Sequence, residues 1–136
     1  MKHEKTRNMA NWSEAKYWSG IRSSLRRTFR FNWLPAKVAL ENARKPYSGP
    51  NKLQKWEFRC ALCEQWFIRK GVELDHKTPC GSLNGLVDVG PFLSRLHPES
   101  PDAYQVICKK CHKLKTAEER KARTANNVST PKGRTL

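Results

Sequence analysis

The sequence predicts an α+β protein in which a basic helical N-terminal extension precedes a small domain of short strands stapled by four cysteines. Three observations support this prediction. Apolar residues first recur every three or four positions, strand-like runs separated by turn residues begin at Trp56, and two Cys-x-x-Cys pairs enclose those runs. At 136 residues the chain is long enough for one domain and too short for two large ones.

The charge balance indicates an acidic partner. Lys and Arg number 27 against 12 Asp and Glu, which gives a formal net charge of +15. A surface this positive repels itself, so nucleic acid is the first expected partner and a charged membrane surface the second. The sequence contains no signal-peptide run and no apolar run long enough to span a bilayer. We therefore expect no membrane association and a reducing, cytoplasmic location, where cysteines bind metals more often than they form disulfides.

Residues 11–50 are expected to form the basic helical extension and a linker, after a flexible stretch at residues 1–10. Asn11 is the predicted cap of the first helix, with Glu14 in capping-box position. One apolar stripe along this helix comprises Trp12, Ala15, Trp18, Ile21, Leu25 and Phe29. Arginines that lie mostly off the stripe are candidates for DNA-backbone contacts, or for a solvated face: Arg22, Arg26, Arg27 and Arg30. Pro35 begins a second helix that ends at Pro46, and a linker follows as far as Lys52.

Residues 51–123 are expected to form the second domain, and residues 124–136 a disordered tail. From Trp56 the chain reads as short strands around a cysteine turn, with a further turn at Lys70-Gly71. A long connection contains a short helix around 91–96, and a strand covers 104–107. The last helix begins at Lys109 and ends near Arg123.

The cysteine pairs predict a structural zinc site. Cys60-x-x-Cys63 and Cys108-x-x-Cys111 each bring two sulfur atoms to one tight turn, and together they supply four thiolates for a tetrahedral ion. The alternative, two redox pairs, lacks the accompanying thioredoxin-like pattern. Cys80 is left over, and a small buried residue is a better reading than a ligand or nucleophile.

A second group of polar residues flanks the cysteines. Asp75 and His76 end a strand, and His112 follows Cys111 on the first turn of the last helix. If zinc holds that helix against the strand, the three side chains converge, and they suit Mg²⁺, Mn²⁺ or Ni²⁺. Plainer readings remain open: a hydrogen-bonded core histidine at His76, an aspartate that only orients it, and a zinc ligand at His112 in place of one of the cysteines. Glu73 could help to bind the metal or form a surface ion pair. Lys113 and Lys115 could contact phosphates or be solvated side chains of the helix.

The order of these motifs resembles a known family. A CxxC pair, "ELDH", a long connection and "YQVICKKCHKLKT" are similar to the zinc-containing branch of the HNH endonucleases, whose core is a ββα-metal motif, over about residues 56–119. "PYSGPNKLQKWEFRC" resembles small phage-encoded, homing-type members. The resemblance implies that His76 is the general base, that Asp75 and His112 hold one catalytic divalent ion, and that the four cysteines hold zinc. It implies a monomer in the host cytoplasm that nicks one strand of double-stranded DNA per active site.

One position departs from the family pattern. The family places an asparagine nine residues before the metal-binding histidine, where this chain has Ala103, preceded by Asp102. In the family that asparagine braces a loop and orients the base, a task open here to Asp102 or to a main-chain contact. Two alternatives follow: a catalytically inactive DNA-binding module, and a zinc-stabilised subunit that docks on an acidic protein of a phage complex. Target sequence, DNA or RNA preference and physiological metal are left undetermined.

Overall fold

The computed structural model describes residues 4–129 and shows an α+β protein with four α-helices and three small sheets. The described residues fall into two units, the first formed by 4–41 and 76–104 and the second by 42–75 and 105–129. The helices are α1 (Glu14–Arg27), α2 (Leu34–Asn42), α3 (Val89–Leu96) and α4 (Lys109–Ser129). The strands are β1 (Lys5–Arg7), β2 (Trp12–Ser13), β3 (Arg44–Pro46), β4 (Trp56–Arg59), β5 (Trp66–Ile68), β6 (Val72–His76) and β7 (Tyr104–Cys108). No helix within residues 4–129 is long and apolar enough to cross a membrane.

The first unit opens with a hairpin that shifts the start of α1. β1 pairs antiparallel with β2 through a turn in which Asn8, Met9 and Ala10 all have positive φ. The helix therefore starts after the hairpin, and its cap is Ser13, whose hydroxyl accepts the Lys16 N–H at 3.2 Å. The predicted cap at Asn11 is wrong, because that residue lies in the hairpin turn. Strand β1 also gives structure to part of the stretch 1–10, where the sequence predicted none.

Part of the predicted apolar stripe forms the core of the first unit. Trp18 is buried together with residues of the long connection and α3, namely Cys80, Leu83, Phe92 and Leu96. Ile21 and Leu25 pack against this cluster, whereas Trp12 and Phe29 are exposed. Cys80 is 8 % exposed, in agreement with its reading as a small core residue.

The helix α1 ends two residues earlier than the stripe predicts. Thr28 is the C-cap, and its N–H and hydroxyl both bond the Ser24 carbonyl. Phe29 then adopts a φ of 59°, which no helix can continue. Arg30 consequently lies beyond the helix on which the sequence placed it.

In the second unit, β3, β4 and β5 form an antiparallel sheet whose registered residues Arg44, Phe58 and Phe67 share one face. Phe58 is buried, and a second cluster joins Cys60, Ile107 and Cys108 with the partly buried Phe67. β3 occupies the start of the predicted linker, since pairing with β4 imposes an extended conformation there.

The later elements follow the prediction more closely. α3 covers the predicted short helix, and β7 extends one residue past its predicted end, to Cys108. α4 continues to Ser129 instead of ending near Arg123. Residues 124–129 of the predicted disordered tail are thus helical, and residues 130–136 lie outside the described part of the chain.

The core position of Trp18 can be tested by truncation. We expect Trp18→Ala to lower the free energy of unfolding by about 3–5 kcal/mol, because it opens a cavity in the core. Trp12→Ala is the matched control, since Trp12 is 37 % exposed, and it should cost less than about 1 kcal/mol. Urea denaturation measures both values, and equal losses would contradict the assigned core.

Candidate functional site

The four cysteines of the two pairs meet in the second unit. Their Sγ atoms all lie within 4.8 Å of one another, and the Cys63 and Cys108 Sγ atoms are 3.9 Å apart. Four sulfurs bonded to one tetrahedral zinc at about 2.3 Å are separated by about 3.8 Å. The group could therefore hold a structural metal such as zinc with little movement.

The backbone around the cysteines supports the same reading. The Cys63 N–H donates to Cys60 Sγ at 3.4 Å, and the Cys111 N–H donates to Cys108 Sγ at the same distance. Such N–H···S bonds favour the thiolate, which is the form that binds metal. Glu64 closes the first turn with a φ of 65°. The Ala61 N–H donates to the Val106 carbonyl at 2.8 Å and ties this turn to β7.

The ionisation of the cysteines shows what a cation would contribute. Burial opposes the Cys60 thiolate, but surrounding backbone and side-chain hydrogen bonds outweigh it and lower the pKa of Cys60 to about 6. The contact with Cys108, followed by burial, raises the pKa of Cys111 to about 12. Crowded sulfurs thus favour one thiolate and oppose the next, because like charges repel. A divalent ion at the centre would remove that repulsion and let all four ionise.

Asp75 anchors a second polar cluster in the same unit. Its Oδ2 accepts hydrogen bonds from Lys115 Nζ at 2.8 Å and from Gln105 Nε2 at 3.1 Å. Lys115 also pairs with Glu119 at 2.6 Å. Burial opposes the Lys115 charge, but the two carboxylates together raise the pKa of Lys115. Gln105 of β7 and Lys115 of α4 therefore converge on the single, half-buried carboxylate of Asp75 in β6.

His112 joins this cluster through Glu73. Its Nδ1 lies 2.7 Å from Glu73 Oε2, and its Nε2 lies 3.9 Å from Asp75 Oδ1. Glu73 and Asp75 are two residues apart on β6, so their side chains share one face of the strand. A carboxylate only accepts, so Nδ1 carries the proton, and in the neutral ring the Nε2 lone pair points toward Asp75. Two ligands bonded to one ion at about 2.1 Å lie at most about 4.2 Å apart, so Asp75 and His112 are within reach of a shared cation.

His76 belongs to the first unit and follows Asp75 directly in β6, so the two side chains leave the strand on opposite faces. Its Nε2 lies 2.9 Å from the Leu96 carbonyl oxygen, and its ring centroid is 4.9 Å from that of Tyr104. Since a carbonyl only accepts, Nε2 donates, and the neutral ring has its lone pair on Nδ1. Burial raises the pKa of Tyr104 to about 12, so this neighbour remains a neutral phenol.

The position of the missing asparagine has a main-chain role. The Ala103 carbonyl accepts the Lys77 N–H at 2.9 Å, and the Asp102 N–H donates to Ser100 Oγ. The orienting contact to His76 comes from Leu96, a residue that carried no signal in the sequence. The sequence could not predict this contact, because every residue has a main-chain carbonyl. It also gave no signal for the hydrogen bond from Gln105 to Asp75.

The predicted DNA contacts occupy different environments. Arg22 donates to the Leu83 carbonyl at 3.2 Å and is half-buried. Lys115 lies in the acidic cluster, whereas Lys113 is exposed. The arginines near the end of α1 are also exposed, and none of them takes part in an ion pair within residues 4–129: Arg26, Arg27 and Arg30.

Metal analysis tests the four-sulfur site. We expect about one zinc per chain in the wild type and its loss in Cys108→Ala, with a lower unfolding temperature, because three thiolates hold zinc more weakly than four. Cys80→Ala is the matched control. It removes a cysteine from the other core and should retain the zinc. A full zinc content in Cys108→Ala would contradict the assignment.

The tautomer of His112 tests its bond to Glu73. In long-range ¹H–¹⁵N spectra recorded in alkaline buffer, we expect the wild-type ring to be protonated at Nδ1. Glu73→Ala should shift it toward the Nε2–H form, because the acceptor is gone. Glu118→Ala removes an exposed carboxylate from α4 and should leave the spectrum unchanged. A wild-type ring protonated at Nε2 would rule out the bond.

Comparison of the chain with protein-family models, with curated proteins and with solved structures gives no match. The functional proposal therefore rests on the residues and contacts described above.

Proposed function

We propose that this chain is a metal-dependent HNH endonuclease that hydrolyses DNA phosphodiester bonds and nicks one strand per active site. The observation that carries the proposal is the placement of Asp75 and His112 within 3.9 Å of each other, with His76 next to Asp75 in the chain. Hydrolysis of a phosphodiester needs a nucleophilic water, a base and a cation for the charge that develops on phosphate. These residue types supply the base and the cation site.

The metal side of the site consists of Asp75 and His112. One carboxylate and one imidazole leave most positions of a divalent ion to water and phosphate, which suits Mg²⁺ and also Mn²⁺ or Ni²⁺. When bound, the ion would stabilise charge on the phosphate and on the leaving oxygen. Glu73 orients His112 through Nδ1, and Gln105 orients Asp75, in the way that outer residues usually hold metal ligands.

His76 is the proposed general base. The Leu96 carbonyl fixes the ring and its tautomer, so the nitrogen that takes the proton from water is Nδ1. Histidine is the side chain most often used to accept and release a proton in catalysis. The contact with Leu96 supports the view that a main-chain group replaces the asparagine expected at Ala103.

Zinc has a positioning role in this proposal. Cys111 immediately precedes His112, so an ion held by the four cysteines also fixes the first turn of α4. That turn carries His112, and the next carries Lys115. A structural zinc would therefore set the distance between α4 and the carboxylates of β6.

The proposed partner is double-stranded DNA, bound mainly through its phosphates. The net charge of +15 favours salt-sensitive binding, in which each phosphate contact releases counterions. Exposed cations available for such contacts are Arg26, Arg27, Arg30 and Lys113. By the resemblance stated above, the biological setting would be a phage-encoded, homing-type monomer in the host cytoplasm.

A catalytically inactive DNA-binding module is the second candidate. The observation that favours it is the Lys115 ammonium, which lies 2.8 Å from Asp75 Oδ2 and competes with a divalent ion for that carboxylate. Ala103 adds to this reading, because the residue that orients the base in the family is absent. Such a module would bind DNA but would cleave it with no divalent ion.

Cleavage of supercoiled plasmid with Mg²⁺ or Mn²⁺ distinguishes the two candidates. We expect the wild type to produce open circles and His76→Ala to be slower by about 10²-fold or more, as for loss of a general base. Asp75→Asn should lose most of its activity through weaker metal binding. Asp88→Asn is the matched control, because it removes one charge from an exposed turn, and it should cleave at close to the wild-type rate.

The outcomes separate cleanly. Binding without nicking, in wild type and variants alike, would replace the nuclease by the binding module. Failure to retain DNA at physiological salt would exclude both and favour a subunit that docks on a protein. Nicking that survives in His76→Ala would remove His76 as the base.

A further inference from the structure

The turn that follows α1 exposes an unusual amount of apolar surface. Phe29, Phe31 and Leu34 are 54 %, 81 % and 66 % exposed, although they lie within six residues of one another. Single exposed apolar side chains are common on proteins, but several of them on one short segment often mark a binding surface. We call residues 26–34, from the end of α1 to the first residue of α2, the arginine–phenylalanine turn.

The base of this turn is held firmly. The Phe29 carbonyl accepts the N–H groups of Asn32 at 3.2 Å and Trp33 at 3.1 Å. The Phe29 ring stacks on Trp33 and meets the edge of His97, with ring centroids 6.1 and 5.5 Å apart. Trp33 Nε1 donates to the Pro98 carbonyl at 3.0 Å. These contacts hold Phe29 in the left-handed region, which an aromatic residue rarely adopts, and they leave Arg30 and Phe31 at the tip.

Three arginines precede the exposed ring of Phe31 in the chain. Arg26 and Arg27 end α1, and the Arg30 guanidinium lies 5.2 Å from the centroid of the Phe31 ring. All three arginines are exposed, and within residues 4–129 no carboxylate forms an ion pair with them. An exposed aromatic ring therefore lies beside Arg30 and within five residues of two further exposed arginines.

We infer that the arginine–phenylalanine turn binds duplex DNA by inserting Phe31 against a base step, while Arg26, Arg27 and Arg30 contact the flanking phosphates. Apolar side chains of this kind act as wedges that partly unstack a base step, and nearby arginines bind the backbone. Duplex DNA offers both kinds of group side by side, since its phosphates suit the arginines and its stacked bases suit the aromatic ring. This inference rests on the DNA partner of the proposed function, and it is independent of catalysis.

Fluorescence of duplexes carrying 2-aminopurine, titrated without added divalent ion, tests the insertion. We expect the wild type to raise the fluorescence, because the probe base brightens when it is unstacked. Phe31→Ala should abolish the rise and weaken binding about tenfold, with no change in the salt dependence. Leu86→Ala is the matched control, because Leu86 is also 81 % exposed and has no part in the turn, and it should behave as wild type.

The arginines have a different expected signature. Arg26→Ala or Arg27→Ala should weaken binding to every duplex and reduce the slope of log K against log salt by about one. Phe31 is so exposed that its loss should leave the unfolding temperature within a degree or two of wild type, which a thermal melt can verify.

Several results would overturn the inference while leaving the nuclease proposal intact. These are equal binding by Phe31→Ala and Leu86→Ala, a wild-type complex without a fluorescence rise, and an equal loss on single-stranded oligonucleotides. Failure of the wild type to bind any duplex would instead remove the DNA partner itself. Plasmid nicking by Phe31→Ala at the wild-type rate, combined with unchanged binding, would confine the failure to the insertion.

Discussion

The crowding of four cysteine sulfur atoms within 4.8 Å of one another is the constraint around which the second unit is arranged. Ile107 and part of Phe67 pack against the cysteines, and Phe58, Val72 and Val106 are the other buried apolar residues that the structure describes in this unit. A core of that size supplies little hydrophobic stabilisation, and small domains of this kind commonly depend on a metal or a disulfide. The chain after β4, the end of β7 and the start of α4 each contribute to this group of cysteines. The free energy of metal binding is thus expected to be a large part of the free energy of folding.

The polar cluster follows from that arrangement by simple periodicity. A strand repeats every two residues, so Glu73 and Asp75 present two carboxylates on one face. A helix places residues three apart on one side, so His112 and Lys115 both reach those carboxylates. The result is two pairs, one between His112 and Glu73 and one between Lys115 and Asp75. They leave His112 bonded to Glu73 through Nδ1, with its Nε2 3.9 Å from Asp75 Oδ1.

The parts of the fold that the sequence predicts are those set by local spacing. Two Cys-x-x-Cys turns, the short helix α3 and the junction of β7 with α4 all follow from patterns within a few residues. The start of α1 does not, because three non-glycine residues with positive φ form the preceding hairpin. Nor does β3, which is extended because β4 pairs with it. In the site, the residue types of Asp75 and His112 are informative, whereas the Leu96 carbonyl that holds His76 is available in any sequence.

The long interval between the cysteine pairs has a consequence for the newly made chain. Cys60 and Cys63 are synthesised first, and 44 further residues must follow before Cys108 is made. During that interval only two of the four cysteines are present. Their thiols are then open to oxidation and to binding of other soft metal ions. Despite burial, hydrogen bonds lower the pKa of Cys60 to about 6 in the assembled site, so its thiolate would be open to oxidation whenever α4 is detached. We therefore expect that a reductant raises the yield when the protein is refolded in the laboratory, because it keeps the first pair of thiols intact until the last helix forms.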